Sequence, residues 1–477
     1  MLTTSSANTR LLLIAVILAW LLPATSLQAQ KGKPLAMEFS TDLYGDNITH
    51  MPCDSNGLCV FYLSGPEDST SFNLLHFDRN FQQVHNLQFR IPIYQEMVSF
   101  TYDNNELVIL FQEKIKKKKS ELGTLLRYNC VSKVSDTLSV KGMPAGNIIS
   151  IKSATPLLLF SAYSANNKQS NLYYLYQGDN FVHPLHIPDA IAYQVEDFGI
   201  DSAARHVLVA LNSTLDNHPF IWLCETDYQQ NILTLTELPD TLSYRCESLC
   251  MTHLNSCQWL LAGTYATRKN NATLGVYTLP YHMGTFDSLR LHPYAAISVV
   301  APNNATYTHS PGKITRYGEQ IAFITETFQP EYRDRPVYYY GVMTYEYSFY
   351  GYRYRNADVH VFNPDGTDAW YYNFPYDDIL TQNTGTYLNI AFIRDMYLLY
   401  YTRSNNMTTM LTNANTDIID SKRSSTIFPE TPNSAISYDG TRITQWYGDY
   451  FLVSGYKRNT KSSRASTTYF IQKLWYR

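Results

Sequence analysis

Residues able to do chemistry are few in this chain and rarely sit in working patterns. His183 and His186 in "FVHPLHIP" are close enough in sequence to offer two metal ligands. Pro184 and Pro188 make that segment an extended edge or a turn, and a structural metal site takes about four ligands. The pair therefore reads as surface or core histidines, and no metal or cofactor is expected. Glu225 with Asp227, and Asp377 with Asp378, have the residue types of a glycosidase, which needs two carboxylates a few ångströms apart. Exposed acids are common on any protein rim, so neither pair specifies an enzyme. Asp365-Gly366 in "NPDGTDAW" is a hairpin signal. The chain carries no G-x-S-x-G elbow, no H-E-x-x-H helix and no glycine-rich phosphate loop.

Three further groups stand out. Of seven cysteines, Cys53 and Cys59 flank the turn "DSNGL" and Cys250 and Cys257 flank another, so each pair is a candidate local disulfide in an oxidising compartment. Burial as free thiols is the competing reading, and Cys246, Cys250 and Cys257 do not have zinc spacing. The lysine run "KIKKKK" (114–119) reads as a solvated hairpin tip. Third, "VYYYGVMTYEYSFYGYRYR" (337–355) places eight tyrosines and a phenylalanine in nineteen positions.

The elements that must position these groups are strands. Apolar runs such as "LCVFYLSG" (58–65), "ELVILFQE" (106–113), "PLLLFSAY" (156–163) and "YFLVSGYK" (450–457) alternate with turn clusters along the whole chain. Turn signals before eight such runs recur at intervals of 49, 50, 48, 53, 63, 76 and 54 residues. A unit near fifty residues with about four strands matches a β-propeller blade. The expected fold is all-β, an eight-bladed propeller, with seven blades as the alternative. The last unit has room for three strands, and the spare strand "AMEFSTDL" (36–43) would complete it and close the ring.

Residues 1–29 read as a signal peptide: Arg10, then the apolar "LLLIAVILAWLL", then small residues toward Ala29. Residues 30–477 then form a single propeller domain without a transmembrane segment. Formal charge is −4 and becomes −5 without Arg10, which argues against nucleic acid as a partner. Aromatics reach 14% with 40 tyrosines, a composition that suits an extracellular β-protein. The leader ending in "QAQ", "FDRNF" (77–81), "GYRYRNADVHVFNPDG" (351–366) and the tail "YFIQKLWYR" resemble exported propeller-type proteins of Bacteroidetes bacteria. That resemblance implies a cell-envelope location (periplasm, outer surface or extracellular) and no particular activity. It also likens the Asp-Ser/Thr-aliphatic triplets at Asp136, Asp201, Asp240 and Asp287 to O-glycosylation sites, against a plainer role as strand-entry turns.

The sixth interval exceeds the others because of the tyrosine-rich stretch, which predicts an extended hairpin at about 327–357. Tyr345, Tyr347 and Phe349 alternate, then Tyr350, Tyr352 and Tyr354 alternate on a shifted phase, which places a turn or bulge at Phe349-Tyr350. Binding candidates are Tyr338, Tyr340, Tyr345, Tyr347, Tyr350, Tyr352, Arg353, Tyr354 and Arg355, since Tyr and Arg are enriched at interfaces. A tyrosine ladder that only stiffens the hairpin is the structural alternative. The sequence thus points to a non-catalytic interaction or scaffold protein binding an envelope protein or glycan. A glycan-active hydrolase or lyase at the channel mouth, and a structural envelope subunit, are the alternatives.

Overall fold

The run Glu106–Ile115 is apolar without alternation because both of its faces are buried. Leu107, Ile109 and Phe111 pack toward the preceding sheet, with Phe61 and Phe72. Val108 and Leu110 pack toward the following one, with Leu158 and Phe160. A strand sandwiched on both sides needs an apolar residue at every position. The outermost strand of a blade has one wet face, so Gln83–Arg90 alternates between exposed and half-buried positions.

The computed structural model describes residues 35–476 except 42–47, 66–69, 93, 116–117, 165–168, 187–192, 216–217, 240–242, 268–272, 296–306, 341, 404, 414–416, 429–435 and 460–466. The described residues form eight antiparallel sheets, each running through the sequence in strand order. We number them as blades: 49–90, 95–141, 147–184, 193–237, 244–293, 308–381, 389–426, and 436–475 with 36–40. From blade 2 to blade 6 each first strand touches the first strand of the next blade, which places the first strands toward the axis. Blade 5 has its first and fourth strands each broken in two.

Eight core clusters each fill one seam between consecutive blades, and the eighth joins blade 8 to blade 1. The ring is therefore closed, and the fold is a β-propeller. Closure uses the expected N-terminal strand: Ala36–Ser40 pairs antiparallel with Thr467–Trp475, from Ala36 opposite Gln472 to Ser40 opposite Thr468. Phe39 then packs with Trp446 and Tyr469 in the closing seam. The pairing covers the edge that Thr467–Trp475 would otherwise leave open.

Tyrosine is used heavily at the seams. At seam after seam a tyrosine hydroxyl bonds a group on the adjoining blade. The pairs are Tyr128 with His76, Tyr174 with Thr226, Tyr281 with Glu225, Tyr294 with Thr325, Tyr397 with Gln320 and Tyr469 with His50. Each ring supplies buried apolar area while its hydroxyl fixes one blade against the next.

Strand connections sort the turns. Because the strands alternate in direction, the second strand of each blade ends and the third begins at one end of the ring, while the first-to-second and third-to-fourth strand junctions fall at the other. The tyrosine-rich hairpin and the lysine run are second-to-third connections, in blades 6 and 2. Residues 116–117 at the lysine tip lie outside the described residues.

Candidate functional site

The second and third strands of blade 6, Gln320–Tyr339 and Val342–Phe362, pair over their whole length. Up to Phe328 the second strand is buried between blades; beyond Pro330, where the fourth strand ends, the two strands continue outward as a two-stranded ribbon. The ladder slips between Glu331 and Tyr332, where Gly351 and Phe349 are the successive partners, so Tyr350 is an extra residue on its strand. This bulge sits at the phase slip read from the sequence, and it is what keeps the two tyrosine series in register with one partner strand.

Residues directly opposite in an antiparallel pair share a face. The register sets Tyr332 opposite Phe349, Asp334 opposite Tyr347, Pro336 opposite Tyr345 and Tyr338 opposite Met343. One face of the ribbon is therefore aromatic and apolar along its length, with Asp334 as its one charge. The other face carries Arg333, Arg335 and Val337 opposite Ser348, Glu346 and Thr344. The five rings on the aromatic face are 42% (Phe349) to 73% (Tyr338) exposed. At roughly 200 Å² per aromatic side chain, that leaves about 600 Å² of ring surface open to water. The largest apolar patch on a monomeric protein typically covers about 300–600 Å² and is often functional, so this face stands at the upper end of that range. Tyr332 stacks on Tyr347 at 5.3 Å with 20° between planes, and Phe349 meets Tyr352 edge-on at 5.0 Å. The rings are held as a platform.

The base of the ribbon is clamped by charge. Glu331 accepts from Arg353 and, at 2.8 Å, from Arg333. Hydrogen bonds from Arg353 and then Arg333 hold the Glu331 carboxyl down at about 2. The Arg333 guanidinium also lies 3.7 Å over the Tyr350 ring.

The structure divides the residues proposed from sequence. Tyr338, Tyr345 and Tyr347 share the aromatic face, and Tyr340 stands fully exposed at the tip. Tyr350 is the bulged residue under Arg333, Tyr352 is half-buried against Phe328, and Arg353 is committed to Glu331. Arg355 is exposed in a second bulge. Tyr354 is a core residue, 1% exposed, and its hydroxyl bonds the Gly385 backbone. The bulge at Arg355 turns Tyr354 into the seam with blade 7, which period-2 counting does not foresee. Tyr332, Met343 and Phe349 complete the platform and were missed. Alternation in "EYRDRPVY" was the available signal for Tyr332.

Other titratable groups lie elsewhere. His183 pairs with Asp179 at 2.9 Å. Glu225 is buried and bonded to His206 and Tyr281, while Asp227 accepts from Asn231 in a turn. The side chains of Asp377 and Asp378 lie outside the described residues. At the end of the ring opposite the ribbon, a cleft of about 550 Å³ opens between blades 5 and 6, lined by Trp259, Tyr281, Phe286, Asp287 and Asp365. Nearby, Asp368 accepts from His292 at 2.6 Å and His360 at 3.2 Å, and Thr278 meets the other nitrogen of His292 at 2.9 Å. Burial pushes the Asp368 carboxyl up, but hydrogen bonds from the two histidines outweigh it and hold the group well below the usual range. This His-Asp-His set joins blade 5 to blade 6 as a latch. Only the hairpin at "NPDGT" hinted at it, by folding His360 back toward Asp368.

The cysteines follow the free-thiol reading and not the two local disulfides. All seven are free thiols. Cys250 opens the strand Cys250–Asn255 and Cys257 lies past its far end. Five residues of strand span about 16 Å, too far for a disulfide. Cys53 and Cys59 do approach one another, but Cys130 of blade 2 joins them, with its Sγ 3.9 Å from that of Cys59.

No protein-family model matches the chain, and no curated protein matches it. Among solved structures it is similar to a prolyl endopeptidase at 9% identity, covering 96% of this chain and 61% of that one, with a TM-score of 0.42. It is similar to the β-propeller domain of the Trilobed protease from Pyrococcus furiosus at 8% identity, covering 79% and 93%, TM-score 0.38. The polysaccharide lyase Uly1 compares at 7% identity, covering 80% and 90%, TM-score 0.38. Likeness at this level carries no argument about activity. The propeller assignment rests on the sheet order and the eight closed seams.

Proposed function

We propose that this propeller is an exported interaction protein of the cell envelope that binds a glycan or protein partner on the aromatic face of its blade 6 ribbon. The observation that carries the reading is the segregation of Tyr332, Tyr338, Tyr345, Tyr347 and Phe349 on one exposed face. Flat rings offer sugar-stacking and hot-spot surface at low entropic cost, and a rigid ring of blades holds them out from the scaffold. Among the described acids, Glu225 and Asp227 are occupied by structural partners, so the ribbon supports binding better than that pair supports hydrolysis.

The test replaces residues 332–350 by a short Gly-Ser turn, joining Glu331 to Gly351, which are already paired. Wild type and variant are passed over a glycan panel and crosslinked to an envelope extract, with circular dichroism to confirm the fold. The expected result is binding by wild type and at least 100-fold weaker binding by the variant. Equal binding by both forms, or by neither in both assays, overturns the reading.

A further inference from the structure

We propose that Cys53, Cys59 and Cys130 form a closed three-thiolate site for a soft monovalent metal ion, Cu(I), across the seam between blades 1 and 2. Their three sulfurs lie within 4.8 Å of one another, and all three residues are buried. Cys53 enters the first turn of blade 1, Cys59 opens the next strand, and Cys130 follows the third strand of blade 2. Two blades and two turns thus hold the triangle in place, with the Cys130 amide fixed to the Asn105 carbonyl at 2.8 Å.

The spacing fits the ion. A metal about 2.3 Å from three coplanar thiolates sets the sulfurs about 4.0 Å apart. Cys59 and Cys130 stand at 3.9 Å and Cys53 lies within 4.8 Å of both, so the triangle needs to close by less than about 1 Å. A structural zinc ion takes a fourth ligand. The nearest imidazole, His76, is spent on the Tyr128 hydroxyl at 2.9 Å and the Asn56 carbonyl at 2.9 Å. Among the described residues no fourth histidine, cysteine or carboxylate joins the three sulfurs, a set that suits a soft, three-coordinate ion. Entry is short: Cys53 precedes the exposed Asp54 and Ser55, and Cys130 precedes the exposed turn at Val131 to Lys133. Binding displaces up to three thiol protons and involves no electron transfer, so affinity rises with pH.

The rival chemistry is a disulfide. Two-electron oxidation of Cys59 and Cys130 would release two protons and bring their sulfurs to about 2.05 Å, leaving Cys53 free.

Reduced, metal-free protein is titrated with Cu(I) against a chromophoric Cu(I) chelator under anaerobic conditions, and in parallel with Zn(II). The expected result is one Cu(I) per chain, a sulfur-only first shell of three by X-ray absorption, and a higher melting temperature with Cu(I). Cys59→Ser and Cys130→Ser should each bind at least 100-fold more weakly, while Cys224→Ser, buried in another seam, keeps wild-type affinity. If a serine variant does not fold, the wild-type melting shift and absorption spectrum decide alone. Absence of Cu(I) binding, binding unchanged in Cys59→Ser, or four-coordinate zinc bound as tightly as Cu(I) would overturn the site. So would five free thiols and a Cys59–Cys130 crosslinked peptide that resists reduction in the native protein.

Discussion

Glu326→Gln isolates one buried carboxyl whose charge the fold should resist. Glu326 lies on the second strand of blade 6, fully buried. One carboxyl oxygen accepts from the Tyr376 hydroxyl, the Tyr387 amide at 2.8 Å and the Leu388 amide at 2.6 Å. Its other oxygen, Oε2, is buried without a partner. That arrangement suits a neutral acid, with the proton on the orphan oxygen. Burial pushes the group up to about 7, against the lowering effect of its three donors and of Lys313. The native state therefore keeps a proton that the unfolded chain loses near pH 4.5. Stability falls as pH rises from about 4.5 to 7, by about 1.4 kcal/mol per unit and about 3 kcal/mol in all. Glutamine keeps the accepting oxygen and cannot ionise. Near pH 4.5 the two proteins should melt together. By pH 8 the variant should melt roughly 3 °C higher, taking about 2.1 cal/mol/K of unfolding entropy per residue. Thermal melts of both proteins across pH 4 to 9 give a difference curve in which all other titrations cancel. A flat curve, or a variant less stable at pH 8, would refute the argument by showing that the three donors solvate the carboxylate fully.

The other predictions concern packing and the latch. Gly263→Ala would place a methyl 1.9 Å from the Ser248 carbonyl oxygen, which also accepts from Tyr277, and should cost about 3 kcal/mol by denaturant titration. Gly385→Ala, with nothing within 4 Å, should stay within about 0.5 kcal/mol of wild type. Phe39→Ala removes the ring that the closing strand sets edge-on to Phe77 and should cost about 3 kcal/mol. Hydrogen exchange should then rise across residues 467–475, and unchanged protection there would mean that closure does not depend on this ring. Asp368→Asn weakens the acceptor shared by His292 and His360 and should cost about 1–2 kcal/mol at neutral pH. Because the carboxyl is held low, its contribution is present above about pH 4 and fades below it, so the deficit should shrink in acid melts.

What could be read from the sequence was what repeats. Each second strand is buried on both faces, so its apolar run and preceding turn recur once per blade, and the spare strand at 36–40 follows from a last blade one strand short. What could not be read depends on register and on distance along the chain. Tyr352 and Tyr354 look like Tyr345 and Tyr347 until two bulges, at Tyr350 and Arg355, decide which face each ring takes. Cys130 lies 71 residues from Cys59 and meets it only because consecutive blades pack face to face. His292 and His360 meet for the same reason, one blade apart. Seam chemistry is invisible to local spacing, because a seam pairs residues about one repeat apart with no fixed offset.

The seams also decide how the tyrosine content should be interpreted. A count of 40 tyrosines cannot by itself assign any of them to binding. Six of the buried examples are accounted for by the seams: the body fills a seam and the hydroxyl reaches the neighbouring blade, as Tyr174 reaches Thr226 and Tyr294 reaches Thr325. Such residues would be selected in any closed propeller, whatever it binds. Tyr338, Tyr345 and Tyr347 differ in kind, because the ribbon has left the blades and no seam lies beside it. Stiffening a hairpin would be served by cross-strand pairs on either face. It gives no reason to gather five rings, Tyr332, Tyr338, Tyr345, Tyr347 and Phe349, on one face while the other carries Arg333, Arg335 and Glu346 with Tyr339 and Val342 only near the tip. A surface that must meet something flat and weakly hydrated does give that reason, and this argues for the ribbon as a binding face over a rib.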